Sequence, residues 1–290
     1  MYIAFFGTIG ANYCFIKNMF PKSIFACYFV GFDYSSRIFT TGNINFYQNL
    51  FRKADFIFAK SQFSKQTIIG LGCDKSKVKI DYNGININKF NTREIKVFSN
   101  EIVKFIIVSR LEIKKSHVLI LQALTAVSEN YTNFEFTIIG DGPESKKIEK
   151  YIEETPILHN KIKLLGRKSQ YEISSILNES HVFIHPSSTA LDNGNMEDTP
   201  TAILEAMACG LPIISTYHAG IPDLVIENYN GKMVPERNLN YLISSIMFFM
   251  ENTDEIPRMG KHSRIMVEEK FDTISNSQKL EELFLNKQLC

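Results

Sequence analysis

The sequence predicts an α/β protein built from parallel sheets with helices on both faces. Short apolar runs alternate with helix-like segments along the chain, which is typical of parallel strands joined by crossover helices. Loops rich in glycine or polar residues follow the apolar runs directly, as at Gly7, Gly31 and Gly140. A polar, irregular segment reaching Asn100 interrupts the alternation, which then begins again. These observations predict two domains.

The composition is that of a globular protein with room for two domains. Of 290 residues, 44% are apolar and 22% are charged, which argues against disorder. The net charge of +1 gives no indication of nucleic-acid binding. Residues up to Phe98 include 13 Lys and Arg against 5 Asp and Glu, and the remainder 19 against 26. A basic first part predicts contact with an anionic surface or substrate, although a surface of solvated lysines explains the charge equally well.

The five cysteines are scattered without the spacing of a metal site. We therefore expect a reducing compartment and no bound metal. No apolar run approaches the length of a membrane span. The apolar residues 1–7 lack a basic leader and are interpreted as a strand rather than a signal peptide.

Four apolar runs predict the strands of the first domain, at residues 2–6, 24–30, 55–59 and 78–82. Helices are predicted between them, at residues 11–20, 44–53 and 61–71. Pro21 ends the first of these helices, Ser61 is a natural N-cap for the third, and Gly72 ends it. Asn83-Gly84 indicates a turn.

In the second domain, strands are predicted at residues 103–109, 134–139, 162–165, 182–185 and 211–215. Helices are predicted at residues 116–130, 144–154, 170–177, 220–223, 238–250, 255–270 and 275–287. A further helix begins near Pro200, which suits a first helical turn, and ends at Gly210. We expect domains at residues 1–98 and 99–272, followed by a C-terminal helix within 273–290.

Four loops of the second domain lie beyond the carboxyl ends of predicted strands, where parallel α/β sheets bind their ligands. Arg110 follows the first strand and Lys115 starts the next helix, and their positive charges suit a diphosphate. Gly140 and Gly142 leave room for a base or a phosphate to approach the backbone. Arg167 is expected to shape a base pocket. Taken alone, each of these loops is better explained as an ordinary turn.

The fourth loop leads into the helix at Pro200 and brings two glutamates near its start. Glu197 lies in the loop, and Glu205 lies about one turn inside the helix. Backbone N–H groups at a helix N-terminus attract phosphate, and carboxylates beside them can accept hydrogen bonds from sugar and ribose hydroxyls. Alone, the two glutamates are more simply a capping residue and a surface residue. Together with the other three loops they predict a nucleotide-sugar site.

The motifs of these loops resemble, in order and spacing, those of the retaining glycosyltransferases of family 4. They are Val108-Ser-Arg-Leu with Lys115, Ile138-Ile-Gly-Asp-Gly-Pro143, Leu164-Leu-Gly166, Ile184-His-Pro-Ser187, the two glutamates, Glu205-Ala-Met-Ala-Cys-Gly-Leu-Pro-Ile-Ile214 and Gly220-Ile-Pro-Asp223. The resemblance extends from Asp55 to about Val234 and implies the GT-B fold, two Rossmann-like domains facing across a cleft. Three segments most resemble the branch that builds colanic acid, other exopolysaccharides and lipopolysaccharide: Phe29-Val-Gly-Phe-Asp33, Leu71-Gly-Cys73 and Thr216-Tyr-His-Ala-Gly-Ile-Pro222.

This resemblance implies a metal-independent, hexosyltransferase-type enzyme with no cofactor beyond its UDP- or GDP-linked sugar donor. Arg110 and Lys115 would neutralise the donor diphosphate, and Glu197 would hold hydroxyls of the donor sugar. Glu205 would hold the ribose, and the amides at the start of the helix would meet the distal phosphate. The donor-binding residues expected on these grounds are Glu205, Gly140, Gly142, Arg167, Thr201, Ala202 and Ile203.

The resemblance also implies an acceptor and a location. The acceptor would be a lipid-linked glycan, an oligosaccharide or a polysaccharide. The enzyme would be cytoplasmic, with peripheral contact at the inner face of an anionic membrane. The C-terminal helix would cross back to the first domain.

Four departures from the family pattern leave a second interpretation open. Val30 stands where the branch has a histidine against the donor sugar, and valine cannot donate a hydrogen bond. Asp198 and Ser116 stand where the family has glycine, and Asp198 adds a negative charge beside a phosphate site. The resemblance also implies several strand–helix units before Tyr2, so the first domain is expected to be incomplete. The alternative is a catalytically impaired nucleotide-sugar-binding subunit, or a truncated remnant of such an enzyme.

Two other enzyme classes fit the sequence less well. A nucleotide-sugar epimerase would require a different set of acid and base residues, which the sequence does not offer. A nicotinamide-dependent dehydrogenase is disfavoured because no G-x-G-x-x-G motif opens the first strand–helix unit.

Overall fold

The computed structural model describes residues 1–41, 44–92 and 102–288, and its strands form two parallel sheets. Side by side in the first sheet lie β1 (Tyr2–Phe5), β2 (Phe25–Tyr28), β3 (Phe56–Ala59) and β4 (Val78–Ile80). The order in the second sheet is β10 (Gly231–Val234), β9 (Ile213–Thr216), β8 (Val182–His185), β5 (Val103–Val108), β6 (Phe134–Ile139) and β7 (Ile162–Leu164). The predicted α/β class with two parallel sheets is confirmed.

The order of the second sheet has one reversal point. From β5 the chain first adds β6 and β7 on one side and then returns to add β8, β9 and β10 on the other. The carboxyl ends of β5 and β8 therefore lie next to each other, with the connecting loops leaving in opposite directions. Such a reversal point is where open α/β sheets form a crevice for ligands.

The helices lie between the strands and continue beyond the last one. In the first domain they are α1 (Gly7–Tyr13), α2 (Ile16–Met19), α3 (Gly31–Tyr34), α4 (Ser36–Thr41), α5 (Gln48–Lys53) and α6 (Gln62–Gly70). In the second they are α7 (His117–Val127), α8 (Ser145–Glu153), α9 (Gln170–Glu179), α10 (Thr201–Ala208), α11 (Leu239–Glu251), α12 (Glu255–Lys270) and α13 (Thr273–Gln288). The predicted boundary between residues 98 and 99 lies outside the described residues.

The two sheets differ in how their surroundings are packed. One continuous apolar cluster covers both faces of the second sheet. The first sheet has separate clusters on its two faces, and one of these includes Phe284 from α13. The Phe284 ring packs edge-on against Phe56 at 5.8 Å and Phe58 at 5.9 Å between centroids. The C-terminal helix thus covers the outer face of the first sheet.

Several elements differ from the sequence prediction. The helix predicted at residues 11–20 forms two shorter helices, and the first begins at Gly7 rather than at residue 11. Its N-terminus is bound by the Asp33 carboxylate, which accepts the N–H groups of Gly7 at 2.8 Å and Thr8 at 3.1 Å. Because Asp33 is distant in sequence, no local signal marks this cap. Strand β10 and helices α3 and α4 were not predicted.

Within the described ranges, no helix is both long enough and apolar enough to cross a membrane.

Candidate functional site

The Glu197 carboxylate is the centre of a buried polar cluster at the carboxyl ends of β5 and β8. It forms an ion pair with Lys115 Nζ. It also accepts a hydrogen bond from Ser187 Oγ at 2.7 Å and faces His185 Nε2 at 3.1 Å. Lys115 ends the turn that follows β5, His185 is the last residue of β8, and Glu197 lies in the loop between β8 and α10. The fold's reversal point thus assembles Lys115 and Glu197, two residues selected from sequence.

The protonation states in this cluster follow from its contacts. Burial alone would raise the pKa of Glu197, but hydrogen bonds from His185 and Lys115, together with the charge of Lys115, hold it well below its usual range. Burial lowers the pKa of Lys115, and the Glu197 charge opposes that shift. Since His185 Nε2 faces an ionised carboxylate, it carries the ring proton, and Lys115 cannot donate to it. The result is an ion pair beside a neutral imidazole.

His117 is a second buried imidazole on this side of the sheet. Its Nε2 lies 3.0 Å from Ser109 Oγ, its Nδ1 has no hydrogen-bond partner, and the residue is 2% exposed. Burial, together with the nearby His185 and Lys115, lowers its pKa from 6.5 to about 3. His117 is therefore neutral, so Lys115 carries the positive charge among these three residues.

Arg110 and Arg167 lie at the exposed rim of the site. The side chain of Arg110 is 66% exposed, and its Nη1 lies 3.2 Å from Glu112 Oε1. The side chain of Arg167 is 82% exposed, with Nε 3.6 Å from Asp141 Oδ2. Because both arginine side chains are mostly exposed to water, these ion pairs are weak. Both guanidinium groups are therefore free to reorient toward an anion.

Packing within the protein itself requires the two glycines of the Gly140 loop. A Cβ at Gly140 would collide with the carbonyl oxygen of Ser109, and one at Gly142 with the backbone of Leu111. Gly140 also has φ 140°, a conformation that other residues rarely adopt. Close contact between the loops after β5 and β6 therefore requires both glycines. Beside them is a cavity of about 370 Å³ whose lining includes Leu111, Ile138, Gly140, Ser145, Gly166 and Arg167.

Thr201, Ala202 and Ile203 form the first turn of α10, which has no side-chain cap. Ile203 N–H donates to the Pro200 carbonyl at 3.1 Å. N–H groups at a first turn have no partner within the helix, so those of Thr201 and Ala202 remain for a ligand or water. Glu205 is half-buried on this helix, and burial raises its pKa although its contact with Gln170 opposes the shift.

The first domain meets the loop before α10 with hydroxyl and amide groups. Ser61 Oγ donates to the Asp198 carboxylate, which is 8% exposed. Asn83 Nδ2 donates to the backbone and the side chain of Thr199, at 3.1 Å each. The Asp198 carboxylate, expected from sequence to add charge beside a phosphate site, is buried in the structure and turned toward Ser61 of the first domain.

Val30 caps α3 without a hydrogen bond from its side chain. Its neighbour Gly31 lies so close to the Met196 carbonyl oxygen that a Cβ would approach it to 2.7 Å. The segment around Val30 therefore does lie against the loop that carries Glu197.

Among the residues that the structure describes, no three His, Cys, Asp or Glu side chains are grouped so as to hold a metal ion.

Comparison with known proteins identifies the family. Residues 88–266 match the family profile described as glycosyl transferases group 1. The chain belongs to the group 1 glycosyltransferases. The putative colanic acid biosynthesis glycosyltransferase WcaL of Escherichia coli is 31% identical over 94% of this chain and 67% of its own length. The amylovoran biosynthesis glycosyltransferase AmsK of Erwinia amylovora is 31% identical over 84% of this chain and 59% of its own. The chain thus spans about three fifths to two thirds of these relatives.

Solved structures confirm the GT-B architecture predicted for this glycosyltransferase. The crystal structure of HepE from Anabaena in complex with UDP superimposes with a TM-score of 0.84 at 20% identity, covering 98% of this chain and 79% of that one. The apo form of the lipopolysaccharide outer core galactosyltransferase WaaB gives a TM-score of 0.72 at 17% identity, covering 98% and 75%. At these identities the likeness shows the fold alone.

Four polar residues that line or support the site of this glycosyltransferase were not selected from sequence as site residues, although the first three lie in motifs quoted above: His185, Ser187, His218 and Glu236. Each lies at, or within two residues of, the end of β8, β9 or β10. The rule that selected Arg110, a polar residue just after a parallel strand, would have selected them as well. Glu236 was missed because β10 itself was not predicted.

Proposed function

We propose that this chain is a retaining glycosyltransferase that moves a sugar from a nucleoside-diphosphate donor to a polysaccharide or lipid-linked acceptor in exopolysaccharide synthesis. The observation that carries the proposal is the buried ion pair of Lys115 and Glu197 at the reversal point of the second sheet. The relatives named for colanic acid and amylovoran biosynthesis support the pathway class. UDP bound to HepE, a neighbour in fold, supports a nucleotide donor.

The proposed chemistry needs positive charge where the nucleoside diphosphate leaves. In our proposal, Lys115 turns from Glu197 to the donor diphosphate, and Arg110 closes over it from the rim. The free N–H groups of Thr201 and Ala202 meet the distal phosphate. Once Lys115 and Arg110 have turned to the bound donor, their positive charge stabilises the leaving group as it departs. No metal is required by this scheme.

Glu197 is freed when Lys115 turns to the diphosphate, and it then accepts hydrogen bonds from hydroxyls of the donor sugar. Glu205 is proposed to hold the ribose. The cavity beside Gly140 and Arg167 is proposed to take the base. These assignments use the ionised state of Glu197, which Ser187 and His185 continue to support after Lys115 has moved.

The test is release of nucleoside diphosphate from a panel of UDP- and GDP-sugars with a membrane lipid extract as acceptor. Glu197→Gln and Lys115→Met should each lower turnover by at least about 10²-fold, as expected for groups that stabilise a transition state. Glu282→Gln and Lys261→Met change exposed side chains of the same types and should leave turnover unchanged. Turnover that survives Lys115→Met would contradict the proposed role of its charge.

One observation favours a second candidate, a nucleotide-sugar-binding subunit without turnover. On the first-domain side, Val30 offers no hydrogen-bonding side chain next to the loop of Glu197. A chain stabilised against heat by UDP, but inactive with every donor, would support this candidate. Activity gained by Val30→His would instead show that the site is an impaired enzyme.

We further propose cytoplasmic action at an anionic membrane face, on the basis of the excess of Lys and Arg before Phe98. Co-sedimentation with vesicles of phosphatidylglycerol, but not of phosphatidylcholine alone, is the expected result. Equal binding to both would contradict the electrostatic contact.

A further inference from the structure

His218 and Glu236 lie behind Glu197, on the side away from Lys115. His218 follows β9 and is completely buried, and Glu236 follows the neighbouring strand β10. The backbone N–H of Glu197 donates to His218 Nε2 at 3.0 Å, and His218 Nδ1 lies 2.6 Å from Glu236 Oε1. The main chain of the proposed catalytic glutamate is thus bound by an imidazole that is bound in turn by a carboxylate.

The contacts determine where the His218 proton lies. A backbone N–H can only donate, so Nε2 must be the unprotonated nitrogen that accepts it. The ring proton is then on Nδ1 and is donated to Glu236. A neutral imidazole in this one tautomer satisfies both contacts, and the other tautomer would place an N–H of the ring against the N–H of Glu197.

Glu236 can select that tautomer because its other contacts are also with donors. Its Oε2 accepts the Thr189 N–H at 2.9 Å, and its Oε1 lies 3.3 Å from Thr189 Oγ1. Arg237 Nη1 is 3.5 Å from Oε2. An ionised carboxylate presents only acceptors, so it fits every one of these partners.

The side chain and the backbone of Glu197 have different binding partners. Lys115, His185 and Ser187 bind its carboxylate, and His218 binds its backbone. The next residue, Asp198, is bound by the first domain. His218 therefore holds the main chain of Glu197 to the second domain, next to the point where this loop contacts the first domain.

We propose that Glu236 and His218 are positioning residues, which select one imidazole tautomer and so hold the main chain of Glu197 where its carboxylate can meet the donor sugar. This rests on the proposed function in one respect only, the role of Glu197 in transfer. Neither residue touches the substrate in this scheme. Their contribution is to the orientation of Glu197.

Glu236→Gln is the sharpest test because glutamine has the same shape but carries one donor group. If its amide N–H₂ faces His218, the ring must accept at Nδ1 and present Nε2–H to the Glu197 N–H. If the amide is reversed, its N–H₂ faces two other donors, the Thr189 N–H and Arg237 Nη1, so this orientation is disfavoured. Glu236→Ala, by contrast, removes the selecting group without imposing the wrong tautomer.

The variant that loses more contacts, Glu236→Ala, is therefore not the one expected to lose more kcat. Glu236→Gln should lower kcat by about 10²-fold, since misplacing a catalytic group by about 1 Å has an effect of that size. Glu236→Ala should lower kcat less, although it removes more contacts and should lower Tm more. UDP binding should be unchanged in both variants. A larger loss of kcat in Glu236→Ala, or a parent-like kcat in Glu236→Gln, would overturn the proposal.

A second measurement does not depend on activity. Long-range ¹H–¹⁵N correlation of the imidazole in histidine-labelled protein should show the Nδ1–H tautomer for His218 in the unmodified chain and the Nε2–H tautomer in Glu236→Gln. An Nε2–H tautomer in the unmodified chain would overturn the positioning role even if no donor were ever turned over. Absence of turnover with the Nδ1–H tautomer present would count against the proposed function and leave the tautomer selection established.

Discussion

Two adjacent residues of the loop before α10 are bound by different domains and by different chemistry. Glu197 turns toward the second domain and is held by Lys115, Ser187 and a neutral imidazole. Asp198 turns toward the first domain and is held by the hydroxyl of Ser61. The second domain thus supplies the charge that faces this loop, whereas the first supplies neutral dipoles.

The difference appears in the titration of the two carboxyl groups. Interactions with His185 and Lys115 outweigh burial and keep the pKa of Glu197 low. Burial raises the pKa of Asp198, and its contacts with Ser61, Tyr34 and Ser64 only partly oppose that shift. Asp198 Oδ2 has no hydrogen-bond partner. The second-domain contact is therefore a strong, specific pairing, whereas the first-domain contact buries a charge that it does not fully satisfy.

The opposite pKa shifts give opposite dependences on pH. A depressed carboxyl pKa contributes stability that is present above the unfolded value and lost as the pH falls through the folded value. A raised carboxyl pKa contributes stability below the unfolded value that is lost as the pH rises through the folded value. Acid should therefore weaken the hold of the second domain on Glu197 and strengthen the hold of the first domain on Asp198.

The largest effect is expected from breaking the charged contact. Lys115→Met leaves the partly buried Glu197 without its cation and should lower the free energy of unfolding by about 2–3 kcal/mol. The double variant Lys115→Met/Glu197→Gln removes both charges and should recover most of that stability, but not turnover. Denaturant unfolding of the two variants, beside Lys261→Met as the surface control, measures the difference. A double variant as unstable as the single one would show that the loss does not come from the unpaired charge.

An intermediate effect is expected from His117, which is neutral within the same domain. Its folded pKa of about 3 lies below the ordinary histidine value of 6.5, so the unfolded chain takes up the proton first. Stability should then fall by up to about 1.4 kcal/mol per pH unit below pH 6.5. In His117→Gln this part of the slope should disappear, whereas the exposed His159→Gln should retain it. Urea unfolding between pH 7 and pH 4.5 is the measurement, and equal slopes in both variants would exclude His117 as the source.

The smallest effect, with the opposite sign, is expected from Asp198→Asn. Removing a buried charge that lacks a full set of partners should raise the free energy of unfolding by about 1 kcal/mol at pH 7. The gain should shrink in acid, where Asp198 takes up a proton. Asp192→Asn, an exposed change in the same loop, serves as the control. A loss of stability at pH 7 would mean that the contact with Ser61 depends on the Asp198 charge.

The fold class, the positions of most strands along the chain and the helix containing Glu205 could be predicted from the sequence alone. These features depend on local patterns, namely apolar runs of strand length, a serine N-cap at Ser61 and a glycine after α10. Strand β10 was not predicted because it is short and has only one β-branched side chain. Its four residues, Gly231–Val234, carry little local signal for a strand. The cap of α1 was not predicted because Asp33 comes from the segment after the neighbouring strand β2, 26 residues away in sequence.

The meeting of particular polar side chains depends on the folded chain and could not be predicted from local patterns. Sequence selected Lys115 and Glu197 separately, but their pairing depends on β5 and β8 being neighbours at the reversal point. It identified Asp198 as a charge near phosphate, and the packing of the two domains turned that carboxylate toward Ser61 instead. The direction of a side chain depends on which partners burial leaves within reach, and those partners are distant in sequence. The same reason explains why the tautomer of His218 could be inferred only from the folded chain.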